Sequence, residues 1–271
     1  MPHRLTLRAL DVSIVTYRSD ATWLDRTLDA LYAAIEAAKA RSLIGAARVL
    51  VVDNAPVRTT TGQSGGPTAV RIAGQGNVGY GAANNLALRD SQAHFVLVLN
   101  PDVDMSVDAL ANGIAYLDAT PAAALVSPVA VFPDGSPQYL AKGAPTVLTL
   151  MLRGFAPRWL ARRHADRLAA YERADVPFDA ALTDANIVSG CFMLMRGEVW
   201  RQTGGFDENF FLYFEDFDLS LRIAQSGRID RVPQVRIVHA GGHAARKGGK
   251  HIWLFIRSAI RFFNKHGWRW W

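Results

Sequence analysis

The chain begins with a short β-rich run, Val12 to Tyr17 (VSIVTY), and then changes period. Trp23, Leu24, Leu28, Leu31 and Ile35 follow at spacings of three and four, the pattern of an amphipathic helix. Arg48 to Asp53 (RVLVVD) reads as a second buried strand and Val70 to Ala73 as a weak third. Tyr80 to Arg89 is an Ala- and Leu-rich helix, and His94 to Asn100 (HFVLVLN) a fourth strand. Continuous apolar strands separated by helices predict an α/β fold, with a mostly parallel sheet covered by helices on both faces. Such sheets bind ligands beyond the carboxyl ends of their strands. Asp53 and the Asn100-Pro101-Asp102 segment fall at such ends.

The second half is less regular. Ala124 to Phe132 and Val188 to Arg196 (VSGCFMLMR) read as strands, and Phe214, Phe217, Leu221 and Ala224 mark a helix. Thr59 to Pro67 (TTTGQSGGP) predicts a mobile loop, and the Arg- and Ala-rich stretch Lys142 to Asp184 an insertion lying over the sheet. No repeat or linker divides the chain, so one domain with a terminal extension is expected.

Composition narrows the class. Of 271 residues 50% are hydrophobic and 20% charged, which excludes disordered, collagen-like and coiled-coil chains. No apolar stretch reaches the roughly 18 residues that cross a bilayer, and Met1 to Leu10 lacks the apolar segment of a signal peptide, so a cytosolic location is expected. One cysteine, Cys191, allows neither an internal disulfide nor a cysteine-based zinc site; it reads as a small core residue. Any metal must then rest on oxygen or histidine ligands.

The net charge of +6 is unevenly placed. From Arg231 to Trp271 there are nine basic residues and no Asp or Glu, leaving a net of −3 for the rest. The basicity belongs to the tail, where Ile252, Trp253, Phe255, Ile256, Ile260, Phe262 and Phe263 interleave with Arg257, Arg261 and Lys265 before Trp268-Arg269-Trp270-Trp271. Aromatics and cations on an amphipathic segment suit an anionic membrane surface. Equally, the apolar face can pack on the domain with the cations in water. No RNA-binding motif accompanies it.

Four segments carry candidate chemistry. Leu97 to Asp104 (LVLNPDVD) ends a buried strand with Asp102 and Asp104, a pair suited to magnesium or manganese shared with phosphate oxygens, or else a turn leading into a helix. Gly74 to Gly79 is a literal G-x-G-x-x-G, but it does not follow the first strand as a dinucleotide fingerprint does. An oxidoreductase therefore remains a minor alternative. Phe206 to Arg222 (FDENFFLYFEDFDLSLR) sets Asp207, Glu208, Glu215, Asp216 and Asp218 among aromatics, where desolvation raises a carboxylate's proton affinity. Glu215-Asp216 also reads as an ordinary acidic helix start, and Asp218 with Arg222 as a helix-surface pair. His239 closes the strand-like run Arg236 to His239.

Taken in order, VSIVTY, VVDNAP, GNVGYGAANN, LVLNPDVD, VSGCFMLMR and GGFDENFFLYFEDFDLSLR resemble glycosyltransferase family 2, most closely its rhamnosyltransferase-like branch, from about Val12 to His243. The resemblance implies a GT-A fold over residues 1–248, with a Rossmann-like nucleotide-binding half to about residue 104, an acceptor-binding half beyond it, and residues 249–271 as an amphipathic extension. It implies that Thr16, Tyr17 and Asp53 line the base and ribose pocket of a nucleotide sugar, with Asn77, Gly79 and Asn84 beside the nucleotide and its diphosphate. The family's D-x-D becomes Asn100-Pro101-Asp102 here, leaving Asp102 as the main metal ligand, with Asp104 and His239 as further candidates for Mg2+ or Mn2+. Glu215-Asp216 matches the E-D motif, with Asp216 the catalytic base. The implied activity is inverting transfer of a sugar, L-rhamnose from dTDP-rhamnose, to a glycan or lipid-linked glycan in cell-surface polysaccharide synthesis, at the inner face of the cytoplasmic membrane. Galactofuranose or an N-acetylhexosamine from a UDP donor, and a non-catalytic nucleotide-sugar or membrane-binding module, are the alternatives.

Overall fold

In the computed structural model, residues 8–55, 69–241 and 249–271 are described. The expected Thr59 to Pro67 loop, the end of the resemblance at His243 and the boundary after residue 248 lie outside them. Eleven strands and nine helices are formed by these residues. In chain order they are β1 (Ala9–Thr16), α1 (Ala21–Ala40), β2 (Ala46–Asp53), β3 (Ala69–Ala73), α2 (Tyr80–Leu88), β4 (Phe95–Leu99), β5 (Val103–Met105), α3 (Ala109–Ala119), β6 (Ala123–Val131) and β7 (Pro137–Gln138). There follow β8 (Ala141–Lys142), α4 (Val147–Phe155), α5 (Arg158–Arg163), α6 (Ala165–Tyr171), β9 (Ile187–Val188), β10 (Phe192–Arg196), α7 (Gly197–Thr203), α8 (Glu215–Ile223), β11 (Arg228–His239) and α9 (Gly249–His266).

The main sheet runs β3-β2-β1-β4-β10-β6-β11-β5, with β7 on β6. β3, β2, β1 and β4 are mutually parallel, as are β6 and β11, while β10 lies antiparallel between β4 and β6. The alternation expected of two covered faces is literal. Leu10, Val12 and Ile14 of β1 with Phe95, Leu97 and Leu99 of β4 pack on Leu24, Leu28 and Leu31 of α1 and Ile114 of α3. Val15, Val96 and Val98 face the other way, against Ala83 and Leu88 of α2 and Leu219 of α8. Each such fully buried Leu or Val contributes about 1.5–3 kcal/mol. Asp20 caps α1 by accepting from the Trp23 N–H at 3.2 Å, which fixes where the chain leaves the sheet after Thr16.

Three sequence expectations change. The run Val188 to Arg196 is not one strand: β9 ends at Val188 and β10 starts at Phe192, with Ser189-Gly190-Cys191 between. β11 is far longer than Arg236 to His239, and its register on β6 shifts between Val232 and Arg236, around Pro233, which cannot donate to a ladder. The shift lets its last residues pair antiparallel with β5, setting His239 opposite Val103 and next to Asp102. The tail is more than an appendage. Phe255, Phe262 and Phe263 of α9 join Phe210, Phe214, Leu150 and Tyr171 in a third apolar cluster, and the Ser258 hydroxyl donates to Leu212 O at 2.8 Å.

Candidate active site

The carboxyl ends of β1 and β2 form one rim. Thr16 pairs in register with Asp53, and both are buried. The Asn54 side-chain amide donates to Gly79 O at 3.0 Å, and Gln75 donates to Asp53 O at 2.8 Å, so the glycine segment folds back over the strand ends. Asn77 Oδ1 accepts from the Gly79 N–H at 3.2 Å. Gly79 has φ +95, and a Cβ there would lie 2.6 Å from Phe211 O; only glycine permits this approach of loop to loop. Tyr17 stands exposed beside this rim.

Asn84 is fully buried, accepting from the Ser13 hydroxyl at 2.7 Å and donating to Tyr80 O at 3.1 Å. These bonds tie α2 to β1. Its neighbour Asn85 holds the Phe206 segment, accepting from the Phe206 N–H and donating to Phe206 O, each at 2.8 Å.

At the end of β4, Asn100, Asp102 and His239 converge. His239 Nε2 lies 3.3 Å from Asp102 Oδ1 and 3.5 Å from Asn100 Nδ2, and its Nδ1 lies 3.0 Å from Gln138 Oε1. Gln138 in turn donates to Gly241 O at 2.9 Å. Burial lowers the imidazole's pKa, but Cys191 and Asp102 beside it outweigh burial and hold it up at about 10. Two features fit this donor set to a hard divalent cation. Asp102 Oδ1 is buried and, beyond the 3.3 Å contact with His239, completes no aligned hydrogen bond, and a Cβ on Gly241 would sit 2.6 Å from Asp102 Oδ2 and 2.9 Å from His239 Nε2, so glycine keeps the space between them open. Asp104 does not join them: its carboxylate is paired with Arg26 of α1 at 2.9 Å. Among the described residues no three His, Cys, Asp or Glu side chains cluster as a metal cage, so Asp102 and His239 would by themselves make only part of a coordination shell.

The acidic pair opens α8. Tyr213 and Phe214 precede it with φ of 70 and 66, a left-handed pair of bulky residues held by their packing against α9. Glu215 is buried, its Oε2 has no hydrogen-bond partner, and desolvation followed by the charge of Asp216 pushes its pKa well above the usual carboxylate range. Asp216 is only half-buried by side-chain contact. Desolvation raises its pKa, against the opposing pull of N–H donors from Gly190 and Phe217, each at 2.9 Å.

Tyr80 and Gly190, which the sequence did not single out, join the two halves. The Tyr80 hydroxyl lies 2.9 Å from Asn100 Oδ1 and 2.8 Å from Gly190 O, while the Gly190 N–H holds Asp216. A continuous path of contacts thus runs from His239 through Asn100, Tyr80 and Gly190 to the carboxylate. Asp218 is a further correction. It is fully buried and binds Lys265 at 2.6 Å and His266 at 2.8 Å as well as Arg222, locking α9 to α8 instead of forming a surface pair.

No protein-family model matches the chain. An N-acetylglucosaminyl-diphospho-decaprenol L-rhamnosyltransferase of Mycobacterium tuberculosis is 30% identical over 217 residues, covering 72% of this chain and 66% of that enzyme. Rhamnosyltransferase WbbL of Escherichia coli K12 is 27% identical over 207 residues, covering 72% of this chain and 70% of that one. The chain therefore spans roughly two thirds of the length of these two relatives. Among solved structures, GalNAc-T7 with UDP, GalNAc and Mn2+ superposes with a TM-score of 0.63 at 14% identity, covering 95% of this chain and 48% of that one. The mannosyltransferase PcManGT of Pyrobaculum calidifontis with GDP-Man and Mn2+ gives 0.57 at 19% identity, covering 95% and 65%. At those identities the likeness establishes the fold.

Proposed function

Because this chain belongs to glycosyltransferase family 2, in its rhamnosyltransferase-like branch with a GT-A fold, we propose that it transfers L-rhamnose from dTDP-rhamnose to a lipid-diphosphate-linked saccharide, with inversion. The observation that carries this reading is the path from Asp102 and His239 to Asp216, which sets a diphosphate anchor and a base on one rim of the sheet. Thr16 and Asp53, with Tyr17 and the Asn77 to Gly79 turn, hold the nucleoside at the ends of β1 and β2. Asp102 and His239 would hold a divalent cation, Mg2+ or Mn2+, whose charge would offset that of the leaving diphosphate. Asp216 accepts the proton of the acceptor hydroxyl while that oxygen attacks the anomeric carbon from the face opposite the leaving group. The N–H groups of Gly190 and Phe217 fix the direction of the carboxylate, and its partial desolvation makes it a stronger base. Glu215, whose burial and whose neighbour Asp216 both raise its proton affinity, shares the helix start with the base.

A membrane surface as partner is supported by where the apolar side chains lie. Of thirteen large hydrophobics exposed among the described residues, nine are on α4, α5, α9 and the tail: Met151, Trp159, Ile252, Trp253, Ile256, Ile260, Trp268, Trp270 and Trp271. The tail carbonyls of Arg269 and Trp270 accept from the first N–H groups of α4, making these elements one face. Arg257 and Arg261 stand exposed along it. None of the described helices is long and apolar enough to cross a membrane, and exposed aromatics interleaved with cations support the reading of a segment that lies on one.

The test is product formation. Incubation with dTDP-rhamnose, Mg2+ and a prenyl-diphosphate-linked N-acetylglucosamine should give a disaccharide of inverted anomeric configuration by NMR. Transfer from a UDP-sugar instead would replace rhamnose within the same class, and retention of configuration would remove Asp216 as base.

A further inference from the structure

Lys142, Arg153, Tyr171 and Glu172 form a cluster that the transfer chemistry above does not use. Lys142 Nζ and Arg153 Nε each lie 3.4 Å from Glu172 Oε1, so two cations share a single carboxylate. Lys142 is buried at the edge strand β8, while Arg153 of α4 remains half exposed. Both cations also stand over the Tyr171 ring, at 5.7 and 5.8 Å from its centre. The Tyr171 hydroxyl is buried and completes no hydrogen bond, although Arg153 lies near enough to affect its ionisation. Burial and the neighbouring Arg153 charge bring the Lys142 ammonium down to about 8 despite Glu172. The cluster is short of negative charge and holds an idle donor.

Its position gives the ligand. β8 pairs with β9, which leads directly to Gly190 and so to Asp216, and Tyr171 packs in the same cluster as Phe214 at the start of α8. On the other side, Glu172 is among the residues lining a shallow, open and largely apolar groove of about 430 Å³, with Ala161, Arg162, Ala165, Leu168 and Ala169. A charged clamp therefore stands between an apolar groove and the base. The groove is built on α5 and α6, and α5 also carries the exposed Trp159.

We propose that this groove and clamp form an acceptor subsite for a prenyl diphosphate, with the chain along α5 and α6 and the phosphate oxygens on Lys142, Arg153 and the Tyr171 hydroxyl. The assignment rests on the lipid-linked acceptor reading given above. Charge-assisted bonds from Arg and Lys to phosphate are the strong ones, and a planar guanidinium can engage two oxygens at once. Glu172 then acts as a placeholder that occupies the two cations until the phosphates arrive. Its charge opposes the ligand's, which sets the sign of the most telling variant.

The experiment is calorimetric titration of the full chain with farnesyl diphosphate, without sugar and in the presence of chelator, with farnesol and inorganic pyrophosphate as control arms. Farnesyl diphosphate should bind at least tenfold more tightly than either control. Lys142→Met and Arg153→Gln should each weaken it about tenfold, Lys142→Arg should retain it, and Glu172→Gln should tighten it several-fold. A network that only supports the fold predicts the opposite for Glu172→Gln, since it would lose both ion pairs. Unchanged affinity in Arg153→Gln, which lies on the surface and leaves the core untouched, overturns the proposal even where Lys142→Met fails to fold. Pyrophosphate binding as well as farnesyl diphosphate would remove the groove from it. A parallel titration with dTDP-rhamnose and Mg2+ separates the two readings: loss of nucleotide-sugar binding in the wild type refutes the transferase assignment, whereas intact nucleotide binding with an indifferent clamp refutes only the subsite.

Discussion

The backbone N–H of Gly190 donates to Asp216 Oδ2 at 2.9 Å, while the carbonyl of the same residue meets the Tyr80 hydroxyl at 2.8 Å. One residue in the break between β9 and β10, through the two peptide units that flank it, therefore aims the base and ties it through Tyr80 to Asn100. Asp216→Asn keeps the shape but cannot take a proton. Transfer should fall by about 10²–10⁴ with nucleotide-sugar affinity within twofold of wild type, as measured by steady-state turnover and calorimetry. Near-normal turnover would place the base elsewhere.

Asp102 and Asp104 should separate cleanly. Asp102→Ala removes a ligand facing His239 and should weaken Mg2+- or Mn2+-dependent donor binding at least tenfold. Asp104→Ala breaks only an exposed pair with Arg26, costing about 0–1 kcal/mol of stability and leaving donor affinity unchanged. Equal effects from the two would return Asp104 to the metal site.

Glu215 gives a pH signature. Its folded pKa is raised by burial and by Asp216, so the native state binds a proton that the unfolded chain releases near the ordinary value of 4.5. The stability this supplies is complete below that value and is lost as pH rises toward the folded pKa. Glu215→Gln removes the titration. Thermal melts from pH 4.5 upward should show the variant gaining on wild type as pH increases; parallel curves would mean that Glu215 is ionised in the fold.

How much of this was legible varies with distance along the chain. The strands β1, β2 and β4 and helix α1 follow from local period alone, and the pairing of Asp102 with His239 from motif resemblance. The break at Gly190 was hidden inside VSGCFMLMR, because an apolar run looks the same whether its ladder is continuous or turns aside to present one N–H. The burial of Asn84 was not legible, because buried polar contacts to Ser13, 71 positions away, leave no trace in a helix pattern. Asp218 resembled a surface residue for the same reason, its cations Lys265 and His266 lying in α9.

The Asp218 network carries its own prediction. Asp218→Ala leaves Arg222, Lys265 and His266 without their shared, fully buried partner and should cost on the order of 3 kcal/mol. Lys265→Ala, at a side chain about a third exposed, should cost about 1 kcal/mol or less. Hydrogen exchange across residues 249–266 should rise in the first variant and barely change in the second. Fast exchange in the wild type would mean that α9 is not held by this contact.

The outer stripe of α9 can be tested without disturbing its packed side. Trp253→Glu with Ile256→Glu alters only exposed positions, whereas deleting 249–271 would also strip Phe262 and Phe263 from the third cluster. The double variant should keep its melting temperature within a few degrees and lose most sedimentation with phosphatidylglycerol vesicles. Undiminished sedimentation would leave the stripe without a membrane role.

The most direct test of the central claim is calorimetric titration of the full chain against dTDP-rhamnose, a UDP-sugar and a GDP-sugar, each with Mg2+ or Mn2+ and again with chelator. The account predicts binding of dTDP-rhamnose over the other two, weakened at least tenfold by chelator and by Asp102→Ala but not by Asp216→Asn. Absence of binding by every nucleotide sugar under all of these conditions would contradict it.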